Sequence, residues 1–179
     1  MSVFRRTAEQ EIYQGAVITL GVGTFLGPDG ESFERDVVHH PGAVSVVPLI
    51  DDEFVLVRQY RAALDHDLLE IPAGKRDVPG EPPEDSAHRE LVEEVGYRAG
   101  RLVKLAEFYN SPGFSDEHSH TFLGLDLTAV AASAQGIEEE HMTIERVPVD
   151  DVPAMIASGA LIDAKTIIGL TLALRHLGR

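Results

Sequence analysis

The chain has 179 residues, with 30 Asp and Glu against 15 Lys and Arg, a formal net charge of −15 and no cysteine. So acidic a chain is a poor non-specific binder of nucleic acid or of an anionic membrane. The lack of cysteine excludes disulfides and thiol chemistry and fits a reducing cytosol, where we expect the protein to reside. No stretch approaches the ~20 apolar residues of a membrane span, so neither a span nor a signal peptide is predicted.

Apolar runs between turn residues predict strands along most of the chain. In the N-terminal part, residues 16–20 and 33–38 are predicted to form a small sheet around a turn at 28–30. Later strands are predicted at residues 43–50, 54–61, 68–72, 102–108, 120–127 and 143–149. Helices are predicted after Pro82, over 152–157, and after Asp163 as N-cap of the last helix.

This order of elements predicts an α/β sandwich. We expect residues 1–42 to form an N-terminal β-sheet region and residues 43–179 to form the main domain. A sheet as small as the first region buries little surface alone.

Local signals define the helix that follows Pro82. Prolines suit a helix start, and the acidic residues in the first turn suit the positive end of the helix dipole. Ala87, Leu91 and Val95 recur at four-residue steps and predict the buried side. Gly96 is placed to end the helix in the left-handed conformation.

Three carboxylates on this helix carry the chemistry. Glu90, Glu93 and Glu94 are spaced i, i+3 and i+4, which places them on one face of a helix. Like charges at this spacing destabilise an isolated helix. A hard cation such as Mg²⁺ or Mn²⁺ would relieve that repulsion, because such ions prefer oxygen ligands. The plain alternative is a solvated acidic helix.

The residues around the helix resemble the Nudix box, G-x5-E-x7-R-E-U-x-E-E-x-G-U, in which U is bulky and apolar. Glu81 and the run from Arg89 to Tyr97 match position for position. There is one departure, because six residues separate Gly74 from Glu81 instead of five. The additional residue lies in a loop, where an insertion costs little.

Other segments resemble the ADP-ribose pyrophosphatases within this superfamily. Pro112 stands 15 residues beyond Tyr97, where that subfamily has a marker proline. Segments 40–44, 58–61 and 70–74 are also similar to that subfamily. The resemblance implies a Nudix-type α/β/α sandwich with a mixed sheet, and a homodimer in which the N-terminal strands cross to the partner subunit. It implies hydrolysis of the pyrophosphate bond of ADP-ribose, with Mg²⁺ (or Mn²⁺) as cofactor, to give AMP and ribose 5-phosphate.

The resemblance also implies the roles of individual residues. The metal ligands would be the Ala73 carbonyl, Glu90 and Glu94, and Glu93 would bind a second metal or act as base. In the acidic run 138–140, Glu138 would be the base and Glu140 a further ligand, with Glu139 open as an alternative. A solvated loop is the other interpretation of this run.

Substrate contacts follow from the same resemblance. Arg61 and Arg35 would contact the phosphates and the adenosine, and Glu70 the ribose hydroxyls. Pro112 and Phe114 would shape the pocket. Each has an ordinary alternative, since arginines on strands are often plain surface residues and a Pro-Gly pair after a strand often marks a turn.

Two other functions stay open. The protein could hydrolyse another nucleoside diphosphate derivative, such as an ADP-sugar or NADH, or it could be a non-catalytic sensor of ADP-ribose. The intact set of box residues argues against the sensor. The isomerase branch of this fold would want an active-site cysteine, which the chain lacks.

Overall fold

The computed structural model describes residues 3–131 and 141–179. The strands are β1 (Arg5–Gln14), β2 (Thr19–Leu26), β3 (Ser32–His39), β4 (Ala43–Ile50), β5 (Glu53–Arg61), β6 (His66–Glu70), β7 (Ala73–Lys75), β8 (Tyr97–Tyr109), β9 (His118–Ala129) and β10 (Thr143–Pro148). The helices are α1 (Pro83–Val95), α2 (Val152–Ser158) and α3 (Ala164–Leu177), with a 3₁₀ turn at Val149–Asp151.

The chain divides into two compact units. The N-terminal unit comprises Met1–Gly42 and Phe108–Ser119, and the main unit comprises Ala43–Glu107 and His120–Arg179. From the sequence, we predict a boundary after residue 42 and place residues 108–119 in the main domain. The structure instead groups residues 108–119 with the N-terminal unit.

The N-terminal unit contains an antiparallel sheet in the order β1-β2-β3. The structure differs here from the prediction of a strand at 16–20, because Gly15 N–H donates to the Ile18 carbonyl at 2.8 Å and closes a turn. The first strand instead covers Arg5–Gln14, and each of its ten residues is exposed. Apolar and polar side chains do not alternate along β1, so its sequence does not predict a strand. Its hydrogen bonds to β2, and not burial, hold it in place.

The main sheet has the order β10-β5-β4-β9-β8, with β6 paired to β5 and β7 paired to β4. Alternate residues of its central strands point to opposite faces. Val44 and Val46 on β4 pack in one apolar cluster with Ala87 and Leu91 of α1. Val47, also on β4, packs in a second cluster with Leu170 of α3. A sheet with two apolar faces, each covered by a helix, confirms the predicted α/β sandwich.

Helix α1 has the limits that the sequence predicts. Pro82 precedes its first turn, and Gly96 ends it in the left-handed conformation at φ 67° and ψ 35°. The Gly96 N–H donates to the Val92 carbonyl at 3.1 Å. The predicted stripe of Ala87, Leu91 and Val95 is buried. The buried stripe therefore packs α1 against the sheet and fixes the positions of its acidic residues.

Helix α3 begins at the N-cap that the sequence predicts, because the Asp163 side chain accepts a hydrogen bond from the Thr166 N–H at 2.9 Å. Among the residues that the structure describes, no helix has the length and apolar character needed to cross a membrane.

Candidate active site

Two carboxylates of α1 are buried against the backbone that leads into β7. The Glu90 and Glu94 side chains are both buried. The Ala73 N–H donates to Glu94 Oε2 at 2.9 Å. Glu90 lies so close to Gly74 that a Cβ at Gly74 would overlap its carboxylate. The structure thus brings the three predicted ligands Ala73, Glu90 and Glu94 together.

Arg89 connects the acidic residues of the box. Its Nη1 donates to Glu90 Oε1 at 2.7 Å and to Glu93 Oε2 at 3.2 Å. Its Nη2 donates to Glu81 Oε2 at 3.3 Å and to the Lys75 carbonyl at 3.4 Å. Burial would lower the pKa of Arg89, but the hydrogen bond to Glu81 and the surrounding carboxylates raise it above its ordinary value. Arg89 thus holds Glu81, Glu90 and Glu93 through hydrogen bonds.

Glu81 keeps its place despite the longer spacer. It accepts a hydrogen bond from Ser86 Oγ at 2.6 Å, and this bond together with the one from Arg89 lowers the pKa of its carboxyl. The spacer takes up the additional residue in an exposed turn, in which Gly80 adopts a φ of 79° and the Glu81 N–H donates to the Val78 carbonyl. The six-residue spacer therefore places Glu81 within reach of both Ser86 and Arg89.

The buried Glu70 forms an ion pair with the partly exposed Arg61. Arg61 donates from Nε at 2.7 Å and from Nη2 at 2.6 Å to the two oxygens of Glu70. Lys165 is also paired with Glu70, whose side chain is only 1% exposed. Burial alone would raise the pKa of Glu70, but the hydrogen bond from Arg61 and the charge of Lys165 lower it, so this carboxyl is ionised.

The donor set suits a hard cation in its chemistry. The carboxylates of Glu90 and Glu94, one helical turn apart, both lie beside the backbone at residues 73–74. Glu90 occupies the space that a Cβ at Gly74 would fill. These are the oxygen ligands that Mg²⁺ and Mn²⁺ prefer. Within residues 3–131 and 141–179, no three acidic or histidine side chains already surround one point as a metal cage would. Arg89 and the Ala73 N–H hold the carboxylates instead.

A cavity of about 550 Å³ lies along the outer side of α1 and the start of β8. It is lined by His88, Arg89, Val92, Glu93, Arg98 and Ala99. The Arg89–Glu93 pair therefore borders a space large enough for a small molecule.

The other predicted contacts, Arg35, Pro112 and Phe114, belong to the N-terminal unit. Arg35 is exposed, donates to the Glu34 carbonyl at 2.6 Å and lies over the Phe33 ring at 4.7 Å. Pro112 lies in a turn closed by the Ser115 N–H and the Ser111 carbonyl at 2.9 Å. The Phe114 side chain is 57% exposed.

A charged clasp joins this turn to the N-terminal sheet. The ring of His39 contacts Asp116 through Nδ1 and Glu9 through Nε2, both at 2.5 Å. The hydrogen bonds to Asp116 and Glu9 raise the pKa of His39. The hydrogen bond from His39 lowers the pKa of Glu9, and it also lowers that of Asp116 against the opposing effect of burial.

Some predicted residues lie outside the described part of the chain, and others were missed. Glu138, Glu139 and Glu140 all fall outside the described residues. No sequence pattern predicts that Lys165 and Thr166 contact segment 70–71, which lies 95 positions away along the chain. The one available signal was the N-cap pattern at Asp163, which predicts a helix start but not what the helix start contacts.

Comparison with known proteins identifies the family. The model of the NUDIX domain matches residues 39–168. An ADP-ribose pyrophosphatase of Bacillus subtilis is 40% identical over 160 residues, which cover 89% of this chain and 86% of that protein. An ADP-ribose pyrophosphatase of Mycobacterium tuberculosis is 34% identical over 168 residues, which cover 93% of this chain and 81% of that protein.

A solved structure described as an ADP compounds hydrolase has the same fold. It superposes with a TM-score of 0.85 at 23% identity, over 98% of this chain and 96% of that one. The predicted Nudix-type sandwich is thereby confirmed. With the family model, the relatives and the box residues in agreement, the chain belongs to the Nudix family of pyrophosphohydrolases.

Proposed function

We propose that the protein hydrolyses the pyrophosphate bond of ADP-ribose to AMP and ribose 5-phosphate, and that it needs Mg²⁺ or Mn²⁺. The observation that carries the proposal is the convergence of Glu90, Glu94 and Ala73 beside the Arg89 network. The choice of ADP-ribose among diphosphates rests on the Bacillus subtilis relative and on the Pro112 segment.

Glu90, Glu94 and the Ala73 carbonyl would hold the metal, with Glu93 and Glu140 as further ligands. When bound, a divalent cation neutralises charge on the pyrophosphate and acidifies a bound water. The chain contributes the orientation of these ligands. Arg89 keeps Glu90 and Glu93 at fixed positions through charge-assisted hydrogen bonds, which are shorter and stronger than neutral ones.

Proton transfer requires a carboxylate near the attacking water. Glu138 is the proposed base, and Glu93 is the alternative within the described residues. Glu93 has an advantage of position, since its side chain lines the cavity beside α1 and accepts a hydrogen bond from Arg89.

The structure limits which atoms of Arg61 and Glu70 can contact the substrate. Glu70 occupies Nε and Nη2 of Arg61, so a phosphate oxygen would bind Arg61 at Nη1. Because the Glu70 side chain is only 1% exposed, we assign it first to the fixing of Arg61, and the contact with ribose stays a prediction. Arg35, Pro112 and Phe114 stay proposed contacts to adenosine and pocket. A homodimer also stays a proposal, supported by the full exposure of β1.

Product analysis tests the proposal. The purified wild type, Glu94→Gln and Glu84→Gln are each incubated with ADP-ribose and Mg²⁺. The products of the three reactions are then separated and compared. Glu84 is the matched control, since it is an exposed glutamate in the first turn of the same helix. We expect the wild type and Glu84→Gln to release AMP and ribose 5-phosphate, and Glu94→Gln to release almost none of either product.

Other outcomes select among the alternatives. Release of a nucleotide from an ADP-sugar or NADH, but not from ADP-ribose, would keep the metal site and reject the choice of substrate. Binding of ADP-ribose without turnover of any of these compounds would favour the sensor. Hydrolysis that Glu94→Gln leaves unchanged would contradict the site.

A further inference from the structure

The backbone that carries the proposed carbonyl ligand Ala73 is held at four consecutive residues. Arg61 and Lys165 bind the Glu70 side chain, and the Ile71 N–H donates to Thr166 Oγ1 at 3.0 Å. The Pro72 carbonyl accepts a hydrogen bond from the Val46 N–H at 2.9 Å, and the Ala73 N–H donates to Glu94 Oε2 at 2.9 Å. The last two act on one peptide group, the one between Pro72 and Ala73. Val46 and Glu94 therefore fix that peptide plane from both sides.

Thr166 supplies the anchor from helix α3. Its hydroxyl accepts the hydrogen bond from Ile71 N–H and donates to Asp163 Oδ2 at 2.6 Å. The Asp163 carboxylate thus directs the hydroxyl proton away from Ile71 and leaves a lone pair facing that N–H. Thr166 is fully buried and Ile71 is 1% exposed, so water cannot replace this bond.

Lys165 connects the same N-cap to the ion pair. Its Nζ donates to Asp163 Oδ2 at 2.9 Å and is also paired with Glu70. With Arg61, the group has two positive and two negative side chains, so its formal charges balance. One carboxylate, that of Asp163, consequently orients both the hydroxyl on Ile71 and the ammonium on Glu70.

Close packing holds the helix against this segment one turn further along. A Cβ at Gly169 would lie 2.9 Å from Ile71 Cδ1 and 3.0 Å from Val47 Cγ2, closer than side chains normally pack. The absence of a side chain at Gly169 therefore lets the axis of α3 approach Ile71. Polar and apolar contacts from the same helix act on the same residue.

We propose that Asp163, Lys165 and Thr166 form a positioning cluster, in which the start of α3 fixes the backbone at Ala73 and the side chain of Arg61. The cluster rests on the proposed function, because it acts on a proposed metal ligand and a proposed phosphate contact. All three residues lie outside the box, at the start of a different helix. Groups that orient metal ligands from behind typically change metal affinity by about 10- to 100-fold when lost.

The test compares Thr166→Val with Thr166→Ser and measures Mn²⁺ binding without substrate, from the electron paramagnetic resonance signal of the free ion. Val keeps the shape of Thr and removes the hydroxyl, whereas Ser restores it. We expect Thr166→Val to bind Mn²⁺ about tenfold more weakly than the wild type and Thr166→Ser to bind it nearly normally. We also expect kcat for ADP-ribose to fall in Thr166→Val and to recover in Thr166→Ser.

Leu174→Ala is the control for general loss of stability. Leu174 lies on α3 and packs against the core away from the helix start. Its variant should lower the melting temperature without changing the Mn²⁺ affinity. If Thr166→Val does not fold, Asp163→Asn replaces it, since Asn still caps a helix but loses the charge that faces Lys165. Wild-type Mn²⁺ affinity in either of these two variants would overturn the proposal, and so would an equal loss in Leu174→Ala.

The same measurements separate this inference from the proposed function. Weaker Mn²⁺ binding by Thr166→Val in a protein that does not cleave ADP-ribose would support the cluster and reject the substrate. Cleavage of ADP-ribose together with unchanged Mn²⁺ affinity in Thr166→Val would support the function and reject the cluster. Mn²⁺ binding that Glu94→Gln leaves unchanged would reject both.

Discussion

Substitution of Gly74 by alanine should damage the site by volume alone. A Cβ at this position would overlap the carboxylate carbon and both oxygens of Glu90. No positive φ is involved, so the effect is steric. Because the Glu90 side chain is only 8% exposed, it has little solvent to swing into and must displace its neighbours.

The magnitude follows from two losses. Forcing a methyl group into a packed site costs about 1–3 kcal/mol. Moving Glu90 also breaks its 2.7 Å hydrogen bond from Arg89, and a bond to a charged group contributes about 1.5–3 kcal/mol. We therefore expect Gly74→Ala to lower the free energy of unfolding by about 2.5–6 kcal/mol. Since Glu90 is a proposed ligand, Mn²⁺ affinity should fall by about 10- to 100-fold.

Urea unfolding and Mn²⁺ titration measure both effects. Gly27→Ala is the matched control, because its Cβ would meet only Phe4 Cε1 at 3.6 Å and the Glu31 carbonyl at 3.7 Å, which are ordinary contacts. We expect that control to unfold within about 1 kcal/mol of the wild type. Wild-type stability and Mn²⁺ affinity in Gly74→Ala would refute the argument that Gly74 forms the cradle for Glu90.

Three further predictions follow. Arg89→Lys keeps the charge but loses the planar fork, so kcat/KM for ADP-ribose should fall at least about tenfold; an unchanged value would contradict the role of Arg89. Glu70→Gln removes the carboxylate that faces Arg61 and leaves Lys165 paired with Asp163 alone, and urea unfolding should show a loss of about 1–3 kcal/mol, with no loss as the contrary result. Relative to His39→Gln, the wild type should be most stable between about pH 4.5 and 6.5. The His39 contribution, from a raised pKa, fades as pH rises above this window, and the carboxylate contributions of Glu9 and Asp116, from lowered pKa values, fade below it. A stability difference that does not vary with pH would contradict the clasp.

The parts of the fold that could be predicted are those encoded locally. Helix α1 carries its own start, buried stripe and left-handed glycine, and the structure has it at the predicted limits. The box carboxylates follow from that helix, since helical spacing alone places them on one side. For the same reason, the central apolar strands and the N-cap of α3 could be predicted.

The parts that could not be predicted depend on contacts between distant residues. Strand β1 is polar and wholly exposed, so neither alternation nor hydrophobicity marks it, and only its pairing with β2 makes it a strand. The hydrogen bond from Ile71 to Thr166 joins residues 95 positions apart. The pairing of Glu70 with both Arg61 and Lys165 is likewise a product of the tertiary fold, and it changes the first role assigned to Glu70.

The spacer between Gly74 and Glu81 has a consequence for how such chains are recognised. Ser86 and Arg89 determine where the Glu81 carboxylate lies, and the exposed turn at 77–80 takes up the difference in length. One additional residue in this loop is therefore compatible with the contacts of Glu81. A search pattern that demands five residues there would reject chains with an intact site, whereas one anchored on the helix would retain them. The same turn is a suitable attachment point for a fluorescent reporter, since loop tips of this kind tolerate insertion.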